Sequence, residues 1–529
     1  MLGLTAILTS ALLLLSGAVA TASAPTAETL NGTYAGVYSA RFDQDFFLGI
    51  PYLQAPIDDR RFHPADSLTS SWNGTRNATA YALSCVGYDT TVDAREMAED
   101  CLYLNIIRPH SVTDASNLPV AVFIHGDDFS GGSASEQRYN LSFIVEKSVQ
   151  LGQPIIAVSF NYRLSAWGFL FSNQLRDTGA TNIGLRDQRF ALTWIQENIA
   201  GFGGDPAKVA LWGQGTGASS VGFQITAYSG RNDSLFRAAI MQSGNPVPEK
   251  GLNGTQHYQP LYDAIAQQVN PSTTYASEND MRANDTCWDA VDRMACLRTV
   301  PFEQMNAVIN ATSARSWFPV IDGDIVPEQP SRSLYTGKKY LKVPIILGAS
   351  TDEGSKFMPE QNVTTEAEFV DLVANEKALA YQGDAAINAN RRQACSTWSR
   401  ANISTYCYRF DVPLYNQQTA QHGNELPFVF ANTDELDSGS NGALTSLADD
   451  ISSSWVSFIA SLDPNAWRQQ KAANASAVTP RWPKYAAGEL SQMVFRANGS
   501  SSVEKDSWRA TPIHLINGQP SGIAVAYQR

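Results

Sequence analysis

Short apolar runs, separated by stretches of helical spacing, organise this chain. Leu118 to Ile124 reads as one buried strand and Gln153 to Phe160 as another. Lys208 to Trp212, Ala238 to Gln242 and Val343 to Leu347 follow in the same style. Runs this short, apolar on both faces, fit strands that are covered on both sides of a sheet. Between the second and third runs, Leu185, Leu192, Ile195 and Ile199 recur at helical spacing with polar residues between them. The alternation predicts an α/β fold with a large, mostly parallel central sheet and helices on both faces. No Pro-, Gly- or Ser-rich linker divides the 529 residues. Residues 23–529 are therefore expected to form a single domain.

Residues 1–22 read as a secretory signal peptide. Leu4 to Leu15 is an apolar core too short to span a bilayer. It leads into Ala18-Val19-Ala20 and Ala20-Thr21-Ala22, both small-x-small cleavage patterns, although no Lys or Arg precedes it. No later run is long and apolar enough for a membrane span, and Gly522 to Arg529 carries no retention or anchor signal. Secretion predicts oxidised cysteines. Sequence order suggests three local pairs: Cys85 with Cys101, Cys287 with Cys296, and Cys395 with Cys407. No His lies at ligand spacing from any Cys, so neither a metal nor a cofactor is expected. Glycosylation sequons stand at Asn31, Asn73, Asn77, Asn140, Asn232, Asn253, Asn284, Asn310, Asn362, Asn402, Asn474 and Asn498. A net charge of −13 argues against nucleic acid as a partner.

The chemistry centres on Val209 to Ala218. A strand runs into a turn punctuated by Gly213, Gly215 and Gly217, and small residues (Ala218, Ser219, Ser220) open a helix. That is the layout of the G-x-S-x-G nucleophile elbow, but Gly215 occupies the serine position. A hydrogen stands where the attacking oxygen belongs. Reading Thr216 as the nucleophile instead puts bulky Gln214 where a small residue is needed, and its β-branch crowds the turn. Ser219 and Ser220 fall on the helix, where packing is the simpler role.

The remaining motifs resemble the type-B carboxylesterase/lipase family, which has the α/β-hydrolase fold and includes cholinesterases and fungal lipases. Phe47 to Tyr52 resembles its N-terminal strand signature, and Glu99-Asp100-Cys101-Leu102-Tyr103-Leu104-Asn105 its second signature. Asn161-Tyr162-Arg163, Gly168-Phe169-Leu170, Asn182 to Gln188 and Phe202 to Pro206 follow in family order. The resemblance also supports the local disulfide pairing, most firmly for the first two pairs. It implies Glu353, in Asp352-Glu353-Gly354, as the triad acid. It implies His422, in His422-Gly423-Asn424-Glu425, as the base. A His takes the proton of a hydroxyl and a carboxylate holds that His in the right tautomer. With Gly215 at the nucleophile position the pair has nothing to activate.

The resemblance places an oxyanion region at Gly126, Asp127, Asp128 and Thr216. Family members have glycines where Asp127 and Asp128 stand, so two carboxylates are expected near the point where negative charge develops. Asp also resists the positive φ that Gly accepts. His125 reads as the structural histidine of this loop. Three readings of function stay open. One is a secreted, non-hydrolytic homologue that binds a small molecule or a protein partner. Another is a repurposed enzyme in which His422 and Glu353 move protons, in a biosynthetic pathway for example. The third is an atypical ester hydrolase. The short Cys85–Cys101 loop, where family lipases carry a long lid, favours a small soluble ligand over a lipid interface.

Overall fold

The computed structural model describes residues 24–88, 96–245, 247, 253–270, 286–313, 317–357, 382–414, 417–436, 442–469 and 477–518. The expected signal peptide, Asn284, Asn362, Asn474 and residues 89–95 of the Cys85–Cys101 loop lie outside the described residues.

An eleven-stranded sheet forms the centre. In chain order its strands are β1 (Val37–Ser39), β2 (Gln44–Pro51), β3 (Tyr103–Pro109), β4 (Leu118–Ile124), β5 (Ile156–Phe160), β6 (Gly204–Gln214), β7 (Ala238–Gln242), β8 (Ile345–Ser350), β9 (Thr405–Phe410), β10 (Ser491–Phe495) and β11 (Ser502–Lys505). They lie in the order β1-β2-β3-β5-β4-β6-β7-β8-β9-β10-β11. The pairs from β5 through β10 are parallel, and antiparallel pairs flank them at both ends.

Alternate residues of each central strand feed two different cores, as the two-residue period of a strand requires. Val120, Val122 and Ile124 of β4 and Val209 and Leu211 of β6 face one core. Leu185, Leu192 and Ile195 of α2 (Ile183–Asn198) and Val221 and Ile225 of α3 (Thr216–Gly230) pack there. Ala121, Phe123, Ala210 and Trp212 face the other. It is covered by Ile144 and Val145 of α1 (Ser142–Gln150), by α5 (Leu426–Phe430) and by Leu447 to Ile459 of α6 (Ala443–Ser461). Helix α4 (Ala389–Arg400) is tied to β9 by Cys395–Cys407. Cys85–Cys101 and Cys287–Cys296 complete the three local pairs. Among the described residues no helix is long and apolar enough to cross a membrane.

Register sets where chemistry can occur. Gly213 lies beside Ile124, Gln214 beside Gln242, Gln242 beside Gly348 and Gly348 beside Tyr408. The carboxyl ends of the parallel strands thus form one edge, and the loops leaving it converge.

Candidate active site

Strand β6 and helix α3 meet at Gly215, whose backbone has φ 58° and ψ −126°. An L side chain is strained there, which is how an elbow holds its central residue proud of the sheet. The flanking glycines are demanded by close approach. A Cβ on Gly213 would lie 2.4 Å from the Gly217 carbonyl oxygen, and one on Gly217 only 2.1 Å from that of Ile124. A Cβ on Gly215 itself would meet only His422, at 3.1 Å from Nε2 and 3.7 Å from Cε1.

Glu353 lies just beyond β8 and His422 in the turn before α5. A hydrogen bond from Asp352 N to the Ala420 carbonyl, 2.9 Å, draws the two loops together. His422 Nδ1 then sits 2.6 Å from Glu353 Oε2. The other carboxylate oxygen accepts from Ser350 N, also at 2.6 Å. The Glu353 side chain is completely buried, while that of His422 keeps 14 % exposure. A buried carboxylate so held keeps the ring proton on Nδ1 and leaves Nε2 as an acceptor.

That acceptor is already engaged: Gln214 Nε2 stands 3.0 Å from His422 Nε2. Beneath the pair, Gln242 Nε2 donates to Glu425 Oε1 over 3.2 Å, and Trp212 Nε1 donates to Gln242 Oε1. Burial pushes the Glu425 carboxyl up to about 7, and the neighbouring Glu353 carboxylate adds to the rise.

The loop after β4 keeps a glycine-like path despite its aspartates. Asp127, Asp128 and Phe129 have φ of 77°, 55° and 56°. Ser130 N and Gly131 N each donate to the Asp127 carbonyl at 3.0 Å and fold the loop back. The family resemblance sets both carboxylates near developing charge. The Asp127 carboxylate instead pairs with Arg138, which also holds Glu136 at 2.9 Å. Gly126 approaches the elbow so closely that its Cβ would lie 3.6 Å from Thr216 N. The imidazole of His125 is buried and stacked on Tyr162, with centroids 4.6 Å apart. Thr216 Oγ1 is buried without a hydrogen-bond partner. Ser220 is fully buried and accepts from Gln188 Nε2 at 3.0 Å, and Ser219 is half-buried on α3.

The structure therefore gathers Gly126, Gly215, Thr216, Glu353 and His422 around one floor, while Asp127, paired with Arg138, and Asp128 stand on the adjoining loop. Three participants escape the motifs. Gln214 enters the sequence reading only as a bulky neighbour, and neither Gln242 nor Arg138 lies in a recognisable signature. Among the described residues no cluster of His, Cys, Asp and Glu could hold a metal ion.

Comparison with known proteins agrees with this fold. Lipase 2 of Diutina rugosa is 35 % identical over 448 residues, covering 78 % of this chain and 76 % of its own length. Secreted lipase 1 of Botryotinia fuckeliana is 30 % identical over 94 % of this chain and 93 % of its own. The crystal structure of Aspergillus niger EstA superposes with a TM-score of 0.75 at 25 % identity, spanning 94 % of this chain and 99 % of that one. The model of the Carboxylesterase family matches residues 20–375 and 372–511. With an α/β-hydrolase sheet, an elbow at its carboxyl edge and a match over most of its length, the chain belongs to the carboxylesterase family.

Proposed function

We propose that this protein is a secreted carboxylesterase homologue that has left the serine acyl-enzyme cycle and binds a small molecule at the retained site. The residue at the elbow carries the reading: Gly215 offers no oxygen to attack a carbonyl. Loss of the nucleophile in a serine hydrolase costs roughly 10⁶ in turnover. A damaged oxyanion hole costs a further factor of about 10²–10³. The carboxylates of Asp127 and Asp128 supply that second defect as added negative charge, since the backbone keeps its glycine-like path and Arg138 pairs with that of Asp127.

Secretion rests on the apolar leader with its small-x-small sites, and on the relative named as a secreted lipase. Lipase is what the relatives are called; the missing nucleophile separates this chain from that activity. A second reading has its own support. The 2.6 Å bond between His422 and Glu353 preserves a proton-transfer pair, which suits elimination, isomerisation or cyclisation of a small molecule. Turnover of short-chain aryl esters by the purified protein tests the main reading. Rates at the buffer background are expected, and turnover well above it overturns the proposal. A product lost on His422→Ala would select the second reading.

A further inference from the structure

A buried carboxamide occupies the atom that a serine hydroxyl would otherwise address. Gln214 is only 4 % exposed and ends β6, one residue before the elbow. Its Nε2 lies 3.0 Å from His422 Nε2. Because Glu353 holds the ring proton on Nδ1, the neutral ring can only accept at Nε2, and an amide N–H is the donor that fits. The carbonyl end of the same amide points toward the Gly126 turn, 3.6 Å from where a Gly126 Cβ would stand. The carboxamide thus spans the floor between the oxyanion turn and the base. A hydroxyl in that position yields its proton to the base, whereas an amide N–H is far too weak an acid to do so.

We propose that Gln214 is a latch on His422: a positioning residue that occupies Nε2, holds the ring in its Nδ1–H form, and must be displaced by a ligand O–H or N–H. The inference deepens the proposed ligand-binding site and rests on that reading, since Gly215 leaves Nε2 open to the amide. It also defines the ligand by chemistry. Only a molecule that presents a hydrogen-bond donor at the floor replaces the bond that is lost. An ester without such a donor leaves the latch closed.

Carbethoxylation by diethyl pyrocarbonate reads the latch, because the reagent takes an unprotonated, unoccupied ring nitrogen. The rate at His422 is followed by peptide mass spectrometry of the intact secreted protein, with exposed His63 as internal reference. Gln214→Ala is expected to speed labelling of His422 about five-fold at neutral pH, the factor that one ordinary hydrogen bond is worth. Gln214→Glu replaces the donor by an acceptor. The His422 imidazolium then faces the introduced carboxylate as well as the Glu353 and Glu425 side chains already beside it. The pH midpoint of labelling is expected to rise by about one unit or more. Unchanged labelling in a folded Gln214→Ala protein, or an unmoved midpoint in Gln214→Glu, would overturn the proposal. If the alanine variant does not fold, the glutamate variant decides. Reactivity toward ester substrates is a separate readout, so the latch and the Gly215 reading fail independently.

Discussion

A Cβ added at Gly215 would stand 3.1 Å from His422 Nε2, and beyond its chain neighbours it would meet no other residue within 4 Å. The elbow aims at the base but has no side chain to aim. A serine there is sterically conceivable, but it meets three obstacles. The contact is tight, φ of 58° strains any side chain, and Gln214 already holds Nε2. Gly215→Ser should fold and gain less than about 10⁴ in aryl-ester kcat/KM, because the roughly 10⁶ of a serine is cut by a faulty oxyanion loop. A gain near the full factor would show that Asp127, Asp128 and Gln214 are neutral bystanders.

Glu425 gives the protein a pH signature. Its ordinary carboxyl value of 4.5 is raised to about 7 in the folded chain, by burial first and Glu353 second. The folded state therefore binds this proton more tightly than the unfolded state. The stabilisation is complete below the unfolded value and is lost as pH rises through about 7. Glu425→Gln mimics the protonated form. Its melting temperature should exceed that of the parent at pH 8 and approach it at pH 5, and its unfolding free energy in urea should exceed the parent's at pH 8 by something on the order of a few kcal/mol. A parallel pH profile in both proteins would contradict the assignment.

Arg138 should matter to the loop more than its position suggests. Removing it leaves the Asp127 carboxylate beside Glu136 with their shared cation gone. Arg138→Ala is expected to lower stability by about 1–3 kcal/mol in urea unfolding, as befits lost hydrogen bonds to charged groups. A loss within error would mean that the loop holds its left-handed path without the ion pair.

The strands are largely legible in the sequence because burial on both faces writes short apolar runs. Leu118–Ile124 and Ala238–Gln242 have the bounds that the pattern indicates. Where bounds differ, the backbone explains it. The run from Gln153 begins its strand at Ile156, and that from Val343 at Ile345, each just past a proline (Pro154, Pro344) with no N–H to give a ladder. The run Lys208–Trp212 instead lengthens to Gly204–Gln214, with Pro206 inside a register irregularity between Gly204 and Val209. The edge strand Ser502–Lys505, half exposed and polar, carries no such signal. Glu353 and His422 stand out through motifs. Gln214 does not: its bond reaches a residue 208 positions away, and no local pattern encodes which way the last side chain of a strand turns. The Arg138–Asp127 pair is a similar case, since nothing in the spacing says that the carboxylate has a cation to meet.

Glycan occupancy should follow side-chain freedom. Asn73, Asn77, Asn402 and Asn498 are exposed. Asn140 is half-buried, and its Oδ1 accepts from Ser142 N at 3.0 Å at the start of α1. Peptide mapping of protein from a glycosylating host should find glycans on the first four and a bare Asn140. A glycan on Asn140 would show that half-burial of the side chain does not limit occupancy.

With Gly215 at its apex, the elbow should offer no acyl-enzyme nucleophile at all. Labelling of the purified protein with a fluorophosphonate probe tests this most directly, with intact-mass and peptide readout. An unshifted mass is expected, with no modified Ser or Thr, Thr216 and Ser219 included. A stoichiometric adduct on any hydroxyl, abolished by His422→Ala, would contradict it.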